Sequence, residues 1–358
     1  MTERERPDPS DLAFRRAVER YLRNRRADST DASIESWKYR LKLFVEWTES
    51  VGIERVGGLE SYDLVEYYEL RSAEIAPATL EGEMWTLKMF TEFLEDLGAV
   101  ERELSESVRI PDLDDEDRTD DTKLDTDRAM DLLGYYRNDP ADYGTRAHVF
   151  FELAWITGAR QGGLRALDLR DVHLDDSPWL DFRHRPEVNS PLKNKLGGER
   201  PVAIPHLTAE VLDRYIDHHR YEVHDEKGRQ PLIASAQGRP GPNTVRVWSY
   251  LATEPCLHSP CPHGKKRESC EWTKYAHASK CPSSRAPHHI RTGAITWMLN
   301  LGWPVADIAE RVNSDPKTIA QHYDKADVEE RRRRQRERME DRRRSLVDRL
   351  DLDHVTEH

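Results

Sequence analysis

The stretch TGARQGGLRALDLRDV, residues 157–172, joins two helical patterns at a glycine. The apolar spacing of residues 144–157 predicts a helix that stops at Gly158, because glycine takes the left-handed conformation of a helix end without a steric penalty. A buried-looking Arg160 then opens the next helix. Upstream, residues 126–137 read as a further helix. Downstream, residues 172–205 are punctuated by Pro, Gly and Asn in the manner of short strands. Helical spacing returns at residues 208–223, 244–251, 288–301, 305–312 and 317–322. No internal repeat is visible. The expected fold class is mainly α with a small β-sheet.

The N-terminal third is all helix in pattern. Ile34, Trp37, Leu41, Phe44 and Val45 recur at helical spacing behind the capping cluster Ser29, Thr30 and Asp31, and Leu80, Met84, Leu87, Leu94 and Leu97 do so ahead of Gly98. Shorter patterns at residues 13–22 and 64–70 complete four helices. Residues 112–121 then hold seven acidic side chains in ten and no apolar pattern, which marks a solvated linker. The expected organisation is a helical domain at 1–111, an acidic linker at 112–122 and a second domain at 123–328. Inside the second lies a Cys-rich insert at 254–283, and a charged helix at 329–358 closes the chain. Residues 329–350 of that tail carry ten Arg and six acidic residues.

Composition narrows the function classes. The chain has 358 residues, 37% hydrophobic and 34% charged, yet nine Trp and thirteen Tyr argue for a folded core. No apolar run approaches the ~20 residues of a membrane span, so a cytoplasmic protein with no membrane partner is expected. The formal net charge is −12. Residues 1–121 carry 17 basic and 31 acidic side chains, while the remainder carries 38 and 36, so the second part is compatible with a nucleic-acid partner. Arg outnumbers Lys 42 to 13 on an acidic surface. That balance resembles proteins of salt-loving archaea, and also fits an ordinary acidic cytosolic protein.

Three separated segments hold the chemistry. The first is TGAR at 157–160. The second is HHIR at 288–291, where His288 and Arg291 at i and i+3 share a helix face. The third is AQHYDKA at 320–326, which contains Tyr323. In this order and at these separations they resemble the tyrosine recombinase (phage integrase, Xer-like) family. The family pattern is Thr-Gly-x-Arg, a Lys on a β-hairpin, His-x-x-Arg, and a Tyr about thirty residues later. The hairpin matches KLGGERPVAIP, with Lys195 five residues before Arg200 and Lys193 as the alternative.

The resemblance implies an N-terminal helical core-binding (SAM-like) domain and a C-terminal α+β catalytic domain that together clamp double-stranded DNA. It implies a site-specific recombinase that cleaves and rejoins DNA through a covalent 3′-phosphotyrosyl intermediate, acting as a homotetramer on paired sites. Tyr323 would be the nucleophile and Lys195 would protonate the departing 5′ oxygen. His288 would assist proton transfer or phosphate orientation. Arg160 and Arg291 suit the charge that builds on the non-bridging oxygens, because planar guanidinium forks match phosphate. Neither ATP nor a catalytic metal is then needed. The tail is read either as a segment docking on a neighbouring protomer or as a solvated helix.

Two positions depart from the family. Gly163 stands where an acidic residue is usual three positions after the first Arg, and Ser314 stands where His or Trp is usual nine positions before the Tyr. These departures keep open a second reading, a catalytically weak DNA-binding regulator. A third, a zinc-dependent nuclease, lacks acidic or His ligands near Arg160 and Arg291.

The four cysteines Cys256, Cys261, Cys270 and Cys281 fall in one 26-residue stretch at spacings x4, x8 and x10. With His258 and His263 among them they suit a structural Zn²⁺ held by four thiolates, with free thiols and disulfides as the alternatives. Such an insert, which also holds Lys265, Lys266 and Arg267, could brace the His288 helix or touch DNA.

Overall fold

The computed structural model describes residues 8–114, 122–186 and 190–320, together with 332, 333, 335, 336, 339 and 340. The acidic run at 115–121, Tyr323 and most of the 329–358 tail lie outside the described residues. The chain divides into two compact units, Met1–Asp120 and Asp121–His358, and each is described by itself. Among the described residues no helix is long and apolar enough to cross a membrane.

The first unit is helical. It contains α1 (Phe14–Arg25), α2 (Asp31–Ser50), α3 (Ser61–Glu74) and α4 (Pro77–Asp96). The capping cluster works as its residue types dictate: the Thr30 side chain accepts from the Ser33 N–H at 3.2 Å, which satisfies one of the orphan donors at the start of α2. Gly98 follows α4 at φ +67°. Phe14, Tyr21, Leu41, Phe44, Tyr67, Met84 and Phe90 meet in one core. Burial at this level contributes about 1.5–3 kcal/mol per large side chain.

The second unit is built around α6 (Arg146–Thr157), which follows α5 (Thr126–Asn138). Its residues from His148 to Trp155 are all buried, so this helix is enclosed around its circumference, with the buried Glu152 carboxylate paired to Arg137. It packs against α5, α8 (His206–His218), α9 (Pro242–Ala252) and α10 (Pro287–Asn300). A short helix α7 (Gln161–Ala166) leads to an antiparallel sheet in the order β1 (Val172–His173), β2 (Trp179–Phe182), β3 (Arg200–Ala203), with Leu180 opposite Val202 and Phe182 opposite Arg200. The chain is therefore mainly α with a small sheet. After α10 come α11 (Val305–Val312) and α12 (Pro316–Thr318).

One close approach fixes the position of α10. A Cβ on Gly293 would stand 2.1 Å from the carbonyl oxygen of Leu124 and 2.9 Å from the Trp155 ring. The segment entering α5 lies along this face, where the Leu124 N–H donates to His289 O at 3.0 Å. Only glycine lets the two backbones come so close.

Candidate active site

Gly158 ends α6 at φ +58°, and the chain turns so that Arg160 sits in extended conformation at the N-cap of α7. Pro287 occupies the first turn of α10, where its missing N–H costs no hydrogen bond. His288 is exposed beside it, and Arg291 lies one turn on with 1% exposure. Arg160, His288 and Arg291 line a single cleft of about 390 Å³ with Gln161, Gly162, Arg165, Pro242 and Pro287. Two segments more than a hundred residues apart thus deliver both expected arginines and the histidine to one place.

The C-terminal end of α11 orients the arginines. Carbonyls in the last turn of a helix lack intrahelical partners and sit at the negative end of its dipole. Here three consecutive carbonyls each meet a different guanidinium. Arg200 Nε donates to Arg311 O at 2.6 Å, Arg291 Nη1 to Val312 O at 2.7 Å, and Arg160 Nη1 to Asn313 O. Arg291 Nη1 also donates to Gly158 O at 2.7 Å. A guanidinium bound in this way keeps one orientation, as the bidentate recognition of a phosphate requires.

Arg200 is a neighbour of the cleft arginines that sequence reasoning passed over. It is 9% exposed, donates through Nη1 to Gly198 O at 2.9 Å and lies 4.5 Å over the Phe182 ring. Burial, with Arg291, Arg160 and Arg311 as like-charged neighbours, pushes its pKa down to about 9. It remains protonated at neutral pH, so four arginines concentrate positive charge beside the cleft. A signal was available: in RPVA the inward positions of β3 are Arg200 and Val202, and a charged residue on the buried face of a strand is out of pattern.

Lys195 lies outside the set lining the cleft. It begins the turn Lys195–Gly198 before β3, is exposed, and adopts φ +53°. The alternative Lys193 is also exposed, and its carbonyl accepts from Asn313 Nδ2 at 2.7 Å. Tyr323 falls outside the described residues. At Gly163, a Cβ would meet the Phe182 ring at 3.3 Å, so the aromatic ring under Arg200 occupies the space an acidic side chain would enter. The Ser314 hydroxyl is buried with no hydrogen-bond partner among the described residues.

The zinc site expected from the cysteines is not assembled. Among the described residues no group of three or more His, Cys, Asp or Glu side chains is placed to hold a metal ion, and Cys256, Cys261, Cys270 and Cys281 are free. Arg267 supplies the physical reason. Its Nη1 donates to Cys256 Sγ at 3.1 Å and pairs with the buried Glu254 carboxylate, which puts a cation where Zn²⁺ would approach that sulfur. Burial pushes the Cys256 thiol up, away from the thiolate a metal needs. These residues do not fit the ion. Arg267 is turned to Glu254 instead, while Lys265 lies 4.4 Å over Trp272.

Comparison with known proteins follows the same lines. Residues 122–330 match the phage integrase family. No curated protein matches the chain. Among solved structures, the Tn1549 transposon integrase in complex with a circular intermediate DNA is 12% identical over 91% of this chain and 99% of its own, with a TM-score of 0.61. A lambda integrase tetramer bound to a Holliday junction is 13% identical over 88% of this chain and 79% of its own, with a TM-score of 0.59. The N-terminal domain of a phage integrase/site-specific recombinase from Haloarcula marismortui is 44% identical over 28% of this chain and 97% of its own, with a TM-score of 0.28. Matched over more than half its length, with two arginines and a histidine gathered in one cleft, this chain belongs to the phage integrase family of tyrosine recombinases.

Proposed function

We propose that this chain is a site-specific recombinase that cleaves and rejoins double-stranded DNA through a covalent 3′-phosphotyrosyl intermediate. The supporting observation is the cleft itself: Arg160 and Arg291 line it together, each oriented by a backbone carbonyl at the end of α11. In this reading the Tyr323 oxygen bonds to phosphorus as the bond to the 5′ oxygen breaks. The departing oxygen takes a proton from Lys195, and His288 assists by accepting the phenolic proton that Tyr323 loses or by orienting the phosphate. The two guanidiniums stabilise the charge on the non-bridging oxygens, and Arg200 raises the local potential behind them. One phosphodiester is exchanged for another, so no ATP enters.

The rest of the reading follows from family membership. Residues 1–111 act as a helical DNA-binding domain joined by the 112–122 linker to a catalytic domain at 123–328, with the 329–358 tail serving assembly. The lambda integrase tetramer on a Holliday junction supports a homotetramer on paired sites as the working form. The cytoplasm is the proposed location.

A second reading, a DNA-binding regulator with weak catalysis, is favoured by two observations. Phe182 fills the space beside Gly163, and the buried Ser314 hydroxyl replaces a larger proton-bearing group. Trapping separates the two. Incubated with a nicked duplex carrying its candidate site, the wild-type chain is expected to give a covalent adduct on a denaturing gel, and Tyr323→Phe to give none while still shifting the DNA. Binding with no adduct from the wild type would favour the regulator. Adducts at wild-type level from the variant would remove Tyr323 from the nucleophile's role.

A further inference from the structure

Three of the four non-glycine residues with positive φ among the described residues meet at one spot: Asn194 at +73°, Lys195 at +53° and Asn313 at +52°. Left-handed backbone is uncommon at non-glycine residues, least so at Asn, and three such residues together persist where the surroundings hold them. The holder here is the Asn313 side chain. Its Nδ2 donates to Lys193 O at 2.7 Å and its Oδ1 accepts from Asn194 Nδ2 at 2.8 Å. The two residues before Lys195 are therefore gripped by one amide. The backbone of Asn313 faces the other way, and its carbonyl accepts from Arg160. Gly198 makes room for this arrangement, since a Cβ there would stand 2.4 Å from Asn313 Nδ2 and 2.6 Å from Lys193 O.

We infer that Asn313 is a positioning residue that ties the turn carrying the general acid, Lys195, to the phosphate-binding Arg160. This rests on the recombinase reading above. The amide and the carbonyl of one residue serve two separate catalytic functions, proton donation and charge stabilisation. Asn313→Gly divides them: glycine keeps the left-handed backbone and the carbonyl to Arg160, and removes only the grip on the Lys195 turn.

A substrate with sulfur in place of the 5′-bridging oxygen reads the division. A thiol has a pKa of about 8.5, so the sulfur leaves without a proton donor. Asn313→Gly is expected to slow cleavage of the ordinary nicked duplex by about tenfold or more, since a displaced general acid loses part of its contribution of ~10²–10⁴. Cleavage of the sulfur duplex is expected to stay within about twofold of wild type. Gly198→Ala, which expels the Asn313 amide from the other side, should give the same sulfur-rescued defect. The double variant should be no slower than either single one. Equal slowing on both substrates, or no slowing on oxygen, would overturn the positioning role; melting temperatures of both variants identify a loss caused by unfolding. Lys195→Ala on the same two substrates tests the reading beneath. Failure of sulfur to rescue it would remove Lys195 as general acid. Absence of any wild-type adduct on either substrate would overturn the recombinase reading and the tether with it.

Discussion

Arg291 donates through Nη1 to the carbonyl of Gly158 at 2.7 Å, so the second arginine of the site is bonded to the backbone two residues before the first. The same nitrogen reaches Val312 O. Arg160 and Arg291 therefore do not depend on separate loops for their relative placement. They share a frame made of the C-terminal ends of α6 and α11, and a displacement of either end moves both.

Replacing Arg160 by Ala or Lys is expected to lower covalent adduct formation by about 10²–10³, as for loss of one charge-stabilising donor. Lysine rescues poorly because a single ammonium cannot reproduce a planar fork. Arg291→Ala should do the same and also lower the melting temperature, since two buried carbonyls lose their donor. Single-turnover rates on a nicked duplex check this, and near-wild-type cleavage by the Arg160→Lys or the Arg291→Ala variant would remove that residue from the phosphate site.

Gly293→Ala is expected to destabilise the second unit by about 1–3 kcal/mol and to reduce cleavage without touching a site side chain. The added methyl meets the backbone of Leu124, which cannot rotate away, and pushes α10 with His288 and Arg291 near its N-terminal end. Denaturant unfolding and adduct yield should fall together; wild-type stability in the variant would show that the two segments separate readily.

Much of this architecture was legible in the residues because it is local. The spacing of Ile34, Leu41 and Phe44 behind Thr30 predicts α2, and α11 begins and ends at Val305 and Val312 as its pattern requires. Gly158 stops α6 for the reason its residue type suggests. The convergence of Arg160, His288 and Arg291 was legible only through resemblance, since nothing local in TGAR or HHIR says that they face one cleft. What stayed hidden is relational. That three successive carbonyls at the end of α11 receive Arg200, Arg291 and Arg160 depends on where the helix end falls in space. The cysteine reading failed for a similar reason: spacing cannot reveal that Arg267 reaches back to Glu254 and Cys256.

Chelation is expected to leave stability unchanged. With Cys256 engaged by Arg267 and no metal-holding group among the described residues, prolonged EDTA treatment should shift the melting temperature by less than about 1 °C, against the large losses seen when structural zinc is removed. Arg267→Ala, by contrast, should cost about 1–3 kcal/mol, because the buried Glu254 carboxylate loses its half-exposed partner. A drop of several degrees in EDTA that zinc reverses would place a metal in the insert.

Acid should unlock the second unit through Asp225. Burial pushes this carboxyl up, but the backbone N–H of Arg229, the Arg239 guanidinium and the backbone N–H of Lys227 outweigh it and hold the pKa down at about 2, against 3.8 when unpaired. Arg239 carries the effect to the cleft, since its Nη1 donates at 2.5 Å to the carbonyl of Arg165, one of the lining residues. A carboxyl whose folded pKa is depressed stabilises the fold above its unfolded pKa, and that contribution disappears as pH falls from about 4 through about 2. Its size is about 2 kcal/mol at neutral pH. Asp225→Asn should therefore be less stable than wild type by about this amount at pH 7, and the gap should close as the pH approaches 2. Denaturant midpoints across that range check it, and a gap that stayed constant with pH would show that the arginines, not the carboxylate's charge, hold the loop.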